Sequence, residues 1–221
     1  MATSWQIDAT KILGRGEIAV VLADLKRPAK RRSPNTRQNL VIFRLATCCG
    51  LRASEIVGLK LGDVRVGIAR PYLRIPKTIA KGGKGRRVPL WWDAQTLADL
   101  TAWREERVRR GAGTGDPFVC AQSRAAYGKR LTRHNVRSRF ISMCRILGTE
   151  RQREITIHTG RHSFVSHALA GPNPRSLAEV RDAAGHSSLA ITSIYTHVAI
   201  SDDGETGDLF DFTRRHETGG A

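Results

Sequence analysis

Apolar positions recur at three- and four-residue spacing over most of the chain, and one stretch in its first half breaks that rhythm. Asn35 with Gln38 reads as a helix start, and Leu40, Val41, Phe43, Leu45 and Ala46 continue it to a stop at Gly50. Before it, Ile7 to Leu25 reads as an opening helix; after it, a short helix begins near Ser54 and runs through Ile56, Val57 and Leu59. Between Val64 and Leu90 the period shortens. Tyr72–Pro76 and Arg86–Leu90 predict two strands around the turn Lys81-Gly82-Gly83-Lys84-Gly85. Asp93 then caps a helix carrying Leu97, Leu100 and Val108 to Gly111, and Gly111 to Pro117 is a surface loop. Val136, Phe140, Met143 and Leu147 form an amphipathic stripe closed by Gly148. Ser176 with Glu179 makes a capping box, and a last helix carries Leu189 through Val198. The pattern predicts a mainly α fold with a small antiparallel β-sheet (α+β). No repeat or linker divides it, so residues 1–200 are expected to be a single domain, followed by a tail, 201–221.

Composition narrows the partner. Of 221 residues, 37 are Lys or Arg and 20 are Asp or Glu, a net charge of +17. Such a balance points to a polyanion. The basic residues come in blocks: six from Lys26 to Arg37, nine from Lys60 to Arg87 against Asp63 alone, and five from Lys129 to Arg139. Three separated blocks suit a groove that follows phosphates. Aromatics are 6% and do not alternate with the basic residues, which argues against single-strand stacking and for double-stranded DNA. The tail reverses sign, with Asp202, Asp203, Glu205, Asp208 and Asp211 around Leu209, Phe210 and Phe212, and is expected to dock on its own domain or another protomer. No apolar run has the roughly 18 residues of a membrane span, and the first ten residues lack a signal-peptide core, so a cytoplasmic protein is expected. Cys48, Cys49, Cys120 and Cys144 have no metal-ligand spacing and read as buried thiols; no metal or cofactor is expected.

Five local features can carry chemistry. In Gly50-Leu51-Arg52-Ala53-Ser54-Glu55 an arginine sits at a helix-to-helix corner, able to offer its fork to phosphate while Glu55 steadies it. Lys81 and Lys84 lie in the hairpin turn. In His158-Thr159-Gly160-Arg161-His162 the first histidine and the arginine share a helix face. Gly185-His186-Ser187-Ser188 and Ile194-Tyr195-Thr196-His197 complete the set. Each has an ordinary reading alone: a salt bridge, solvated turn lysines, a capping histidine, a packed tyrosine. Together, two arginines, a lysine, two histidines and a tyrosine can grip one phosphodiester and offer it an oxygen nucleophile.

In order and wording the chain resembles the catalytic domain of the tyrosine recombinases, the phage integrases and Xer-type site-specific recombinases. The matching segments are TCCGLRASEIVGLKLGDV, AKGGKGRRVPL, HTGRHSFVSHAL and AGHSSLAITSIYTHV, from Thr47 to Val198. The resemblance implies a DNA integrase or recombinase of mobile elements that works through a 3′-phosphotyrosine intermediate without metal or nucleotide. Arg52 and Arg161 would hold the scissile phosphate, Lys81 would protonate the leaving 5′ oxygen, and His158 would assist removal of the nucleophile's proton. His186 would hydrogen-bond the phosphate, Tyr195 would attack, and Glu55 would take the acidic supporting position. A homo-oligomer, a tetramer on paired sites, is implied as well. Two departures stand out. Gly160 replaces a larger apolar residue and is expected to loosen its helix by about 1 kcal/mol. The family's helical DNA-clamping domain is expected to be absent before the core, so that the chain is either an excised domain or half a clamp, completed by an accessory clamping protein or a separate domain. A type IB topoisomerase and a catalytically silent DNA-binding regulator of the same fold are the alternatives.

Overall fold

The computed structural model describes residues 7–28, 33–171 and 173–196. Its centre is helix α2 (Pro34–Thr47), in which every residue from Leu40 to Thr47 is buried. That is why its apolar residues run together instead of keeping to one face. Around it pack α1 (Arg15–Lys26), α4 (Ala94–Arg109), α5 (Arg133–Met143) and α7 (Ile157–Ala170). Phe43 stacks on Phe140 at 5.5 Å, joining α2 to α5, and Trp92, in the turn before α4, stacks on Phe164 of α7 at 6.1 Å. Arg44 is buried between α2 and α4, where Asp99 (2.9 Å) and Asp93 (3.3 Å) accept its hydrogen bonds.

Three antiparallel strands form one small sheet in the order β1 (Val64–Arg65), β2 (Tyr72–Ile75), β3 (Arg86–Pro89). Leu73 pairs with both Val64 and Val88, and these three side chains, with Ile75, make the buried face. In the β2–β3 connection Lys81–Gly83 form a tight 3-10 turn, with Gly82 and Gly83 both left-handed. Strand β3 packs against α8 (Leu177–Ala184). Short helices α3 (Ala53–Gly58), α6 (Thr149–Glu154) and α9 (Leu189–Ser193) complete the described elements.

The mainly helical class with a small antiparallel sheet agrees with the pattern read from the sequence, and several boundaries are corrected. The first long helix starts at Arg15, not at Ile7. The segment before it is tied across the molecule instead: the Leu13 amide donates to Ser163 Oγ (2.8 Å) and the Leu13 carbonyl meets His167 Nε2 (2.8 Å). Pro34 at the first turn moves the start of α2 ahead of Asn35, and Gly50 turns the chain two residues past its cap, Cys48. The stripe ending at Leu147 belongs to two elements, because α5 tightens into a 3-10 turn at Cys144–Leu147. Helix α9 stops at Ser193, so Tyr195 sits in a turn beyond it. The rest of that predicted helix, through Val198, lies outside the described residues, as does the acidic tail.

Gly160 corrects a physical expectation. Helix α7 runs unbroken through it. A Cβ there would lie 3.0 Å from Phe140 Cζ and Thr47 Oγ1, and 3.2 Å from the Ala46 carbonyl carbon. The glycine lets α7 approach α2 closely; tertiary packing outweighs its poor intrinsic helix propensity. The four cysteines are free and buried as expected, with burial pushing Cys48 up to about 11 and Cys144 up to about 12. Among the described residues no group of His, Cys, Asp and Glu is placed to hold a metal ion, and no helix is long and apolar enough to cross a membrane.

Candidate active site

Four separate parts of the chain meet where the α2–α3 corner faces β3, α7 and the α8–α9 connection. Arg52 is the N-cap residue of α3, and Glu55, one turn later, reaches back to accept from the Arg52 amide at 2.9 Å. The other Glu55 oxygen accepts from Arg52 Nη1 at 3.2 Å. Glu55 is fully buried, and Arg86 of β3 forks onto both its oxygens at 2.7 and 2.9 Å. Burial alone would raise this carboxyl, but the hydrogen bonds and charge of Arg86, with the Arg52 contacts, hold it below the ordinary carboxylate value. Glu55 thus stays ionised and fixes two guanidinium groups.

The C-terminus of α8 organises the rest. Its last carbonyls have no partner within the helix and carry its negative end. Arg86 Nε donates to the Ala183 carbonyl at 2.8 Å, and Arg161 Nη2 to the Ala184 carbonyl at 2.6 Å. Arg161 Nη1 donates to the Gly50 carbonyl at 2.7 Å, which joins α7 to the corner that presents Arg52. At Gly185 the chain is left-handed (φ 69°), and a Cβ would come 2.8 Å from Arg86 Cδ. Only glycine meets both demands.

Three arginines around one carboxylate leave the cluster with surplus positive charge. Burial, reinforced by Arg52 and Arg86, pulls Arg161 down to about 9. The same field acts on the histidines. Burial and neighbouring guanidinium groups bring His186 to about 3, and burial with His158, Arg161 and Lys11 brings His162 to about 4. His158 is lowered by burial and by Arg137, Arg161, Arg52 and Lys81. All three are neutral at neutral pH. An anion placed among these groups is stabilised by the field.

Tyr195 lies against this cluster, 4% exposed. Its ring stacks on His186 with centroids 6.0 Å apart, and its hydroxyl is 2.7 Å from His162 Nδ1. His186 Nδ1 is in turn 2.9 Å from Thr192 Oγ1. Burial raises the phenol above its ordinary value and outweighs the lowering by Arg161 and Arg52, so the hydroxyl keeps its proton.

Of the residues singled out in the sequence, Arg52, Glu55, Arg161, His186 and Tyr195 come together. Lys81 and His158 are exposed at the rim, close enough for the lysine's charge to act on the histidine. His158 makes no hydrogen bond to Tyr195. The sequence reading missed Arg86, hidden in a basic run, and His162, whose ring touches the tyrosine. A histidine four positions after His158 on α7 was the available signal for the second.

The depressed histidines have a measurable consequence. Between their ordinary value of 6.5 and about 4, His162 and His186 bind fewer protons folded than unfolded. Stability is therefore complete above about pH 6.5 and falls as the solution is acidified toward pH 4, by a few kcal/mol in all. Urea unfolding across this range is expected to show that loss, with a shallower slope in His162→Asn.

A profile described as the phage integrase family matches residues 20–201. Tyrosine recombinase XerC of Herpetosiphon aurantiacus is 32% identical over 177 residues, covering 79% of this chain and 53% of that protein. The crystal structure of XerA recombinase superposes with a TM-score of 0.67 at 18% identity, covering 91% of this chain and 62% of that one. XerH site-specific recombinase, bound to a palindromic difH substrate in a post-cleavage complex, gives 0.65 at 24% identity, covering 86% and 50%. The chain spans about half the length of the curated relatives it matches.

Proposed function

The chain belongs to the phage integrase family, and on that premise we propose that it cuts and rejoins duplex DNA as a site-specific recombinase, through a 3′-phosphotyrosine bond to Tyr195. The observation that carries this reading is the meeting of three arginines, Arg52 and Arg86 held by the buried Glu55 carboxylate and Arg161 by the carbonyls of Gly50 and Ala184, with a buried tyrosine hydroxyl beside them. A scissile phosphate set against Arg52 and Arg161 meets planar donors that strengthen as negative charge builds up in the transition state. Arg86 acts from behind, through Glu55 and the end of α8. With Thr192 Oγ1 donating to Nδ1, His186 presents Nε2–H to a phosphate oxygen, and His158 offers a second donor from the rim. Attack by Tyr195 Oη forms the P–O bond to tyrosine and breaks the bond to the 5′ oxygen. Lys81, in its two-glycine turn, protonates that oxygen.

The broken bond's energy is kept in the tyrosyl ester, so the reverse attack by a 5′ hydroxyl reseals the strand. Side chains suffice for every step. The three basic blocks suit a duplex partner, and we extend the reading to a homo-tetramer on paired sites. The names of the relatives favour recombination over topoisomerase activity or silent DNA binding. The test uses a pool of duplexes of random sequence, each nicked so that the short cleaved strand diffuses away. Denaturing gels are expected to show protein joined to 3′ ends, in EDTA as in magnesium, with one sequence enriched among the captured strands. An absence of covalent product, or strict need for a divalent ion, contradicts the proposal.

A further inference from the structure

We propose that His162 is a catalytic residue: its Nδ1 takes the phenolic proton of Tyr195 as Oη attacks phosphorus. The inference rests on the strand-transfer reading above and assigns it a proton acceptor.

Geometry comes first. The Tyr195 hydroxyl lies 2.7 Å from His162 Nδ1, within direct proton-transfer distance. The tyrosine ring has His186 stacked on it at 6.0 Å and 17°, so ring orientation and hydroxyl direction are set by two different histidines. The His162 ring is tilted 34° to the phenol, with centroids 5.7 Å apart; it meets the hydroxyl instead of stacking on the ring. His158, one turn earlier on α7, is exposed and makes no hydrogen bond to Tyr195. The histidine in contact with the reacting oxygen is His162.

The protons start where the transfer needs them, and a phosphate's negative charge brought into the cluster raises the imidazole's basicity for it. His162 accepts a proton only while neutral. The titratable and charged groups around it are His158 and Arg161 on its own helix, Lys11 from the turn before α1, His186 from the α8–α9 connection, and Tyr195 itself. The first three, together with burial, push His162 down to about 4, which leaves it unprotonated at neutral pH. Tyr195, raised by burial, retains its proton until attack. A protonated nucleophile and a neutral imidazole at 2.7 Å are the two halves of one transfer.

The step balances. The Oη–H bond breaks and its proton passes to Nδ1; the Oη lone pair forms the bond to phosphorus; the P–O5′ bond breaks and O5′ gains a proton from Lys81. His162 leaves the step as imidazolium and Lys81 as amine. In rejoining, the 5′ hydroxyl gives its proton to Lys81 and His162 returns one to departing Oη. His162 therefore serves both directions.

The experiment measures single-turnover adduct formation on the enriched nicked duplex, with the whole chain and four proteins: parent, Tyr195→Phe, His162→Asn and His162→Ala. Asparagine can still hydrogen-bond the phenol but cannot take its proton. Both His162 variants are expected to slow cleavage and rejoining about 100-fold or more while binding duplex like the parent. Added imidazole is expected to restore part of the His162→Ala rate, in proportion to the neutral base. That response requires a folded site lacking an acceptor, and a purely structural role would not produce it. His162→Asn cleaving at the parent rate overturns the inference, as does a His162→Ala protein that melts like the parent yet ignores imidazole. An adduct that persists in Tyr195→Phe overturns instead the strand-transfer reading on which the inference rests.

Discussion

Tyr195→Phe is expected to fold, bind duplex DNA like the parent and form no covalent product at all. The substitution removes one oxygen. The ring keeps its burial and its stacking on His186, and the loss is a single hydrogen bond to His162, about 1 kcal/mol. Chemistry has no substitute for that oxygen. The other two tyrosines are engaged elsewhere: Tyr72 lies under Arg87 on the sheet, with the cation 4.7 Å from the ring centroid, and Tyr127 stands 5.6 Å from Arg107. Neither belongs to the arginine cluster. A denaturing gel of the nicked duplex after exposure to parent and variant, beside a binding titration, checks both halves of the expectation.

Arg161→Ala is expected to lose cleavage by about 1,000-fold and to lose stability as well, because one side chain serves both. Its two terminal nitrogens satisfy the carbonyls of Gly50 and Ala184, joining α7, the end of α2 and the end of α8. Two buried carbonyls stripped of their donors cost on the order of 2 kcal/mol or more. Arg161→Lys is expected to recover charge but little activity, since a single ammonium cannot reach both carbonyls and a phosphate oxygen in one plane. Single-turnover cleavage and urea unfolding on the same preparations separate the two effects. A normal cleavage rate in Arg161→Ala would remove this arginine from the transition state.

The helical framework was legible because its apolar residues keep to period and its caps are local: Asp93 accepts from the Gln95 and Thr96 amides, and Ser176 forms its box with Glu179. The two-residue strand β1 was not, because two residues carry no period and its pairing with Tyr72 and Leu73 forms only on folding. Gly160 misled for a related reason. Helix propensity is a property of one residue, whereas the 3.0 Å approach to Phe140 and Thr47 depends on two other helices. In the site, local wording picked out Arg52, Glu55, Arg161, His186 and Tyr195, since each stands in a distinctive short string. Arg86 sits beside Arg87 in a basic run and looks like any phosphate-facing arginine; its fork onto Glu55 and its bond to Ala183 arise only on folding. For the same reason the spacing of His158 to Arg161 is visible in the sequence, whereas the contact of His162 with Tyr195 closes across 33 residues and leaves no local mark.

The central claim is that one side-chain oxygen, Tyr195 Oη, becomes joined to the 3′ phosphate of cut DNA. The most direct measurement is the mass and fragmentation of the peptide left on the strand after the covalent product is digested with protease and nuclease. The account predicts a nucleotide-phosphate mass on the peptide that contains Tyr195, carried by that tyrosine. The same mass on Tyr72, Tyr127 or a serine, or cut strands bearing no peptide, would contradict it.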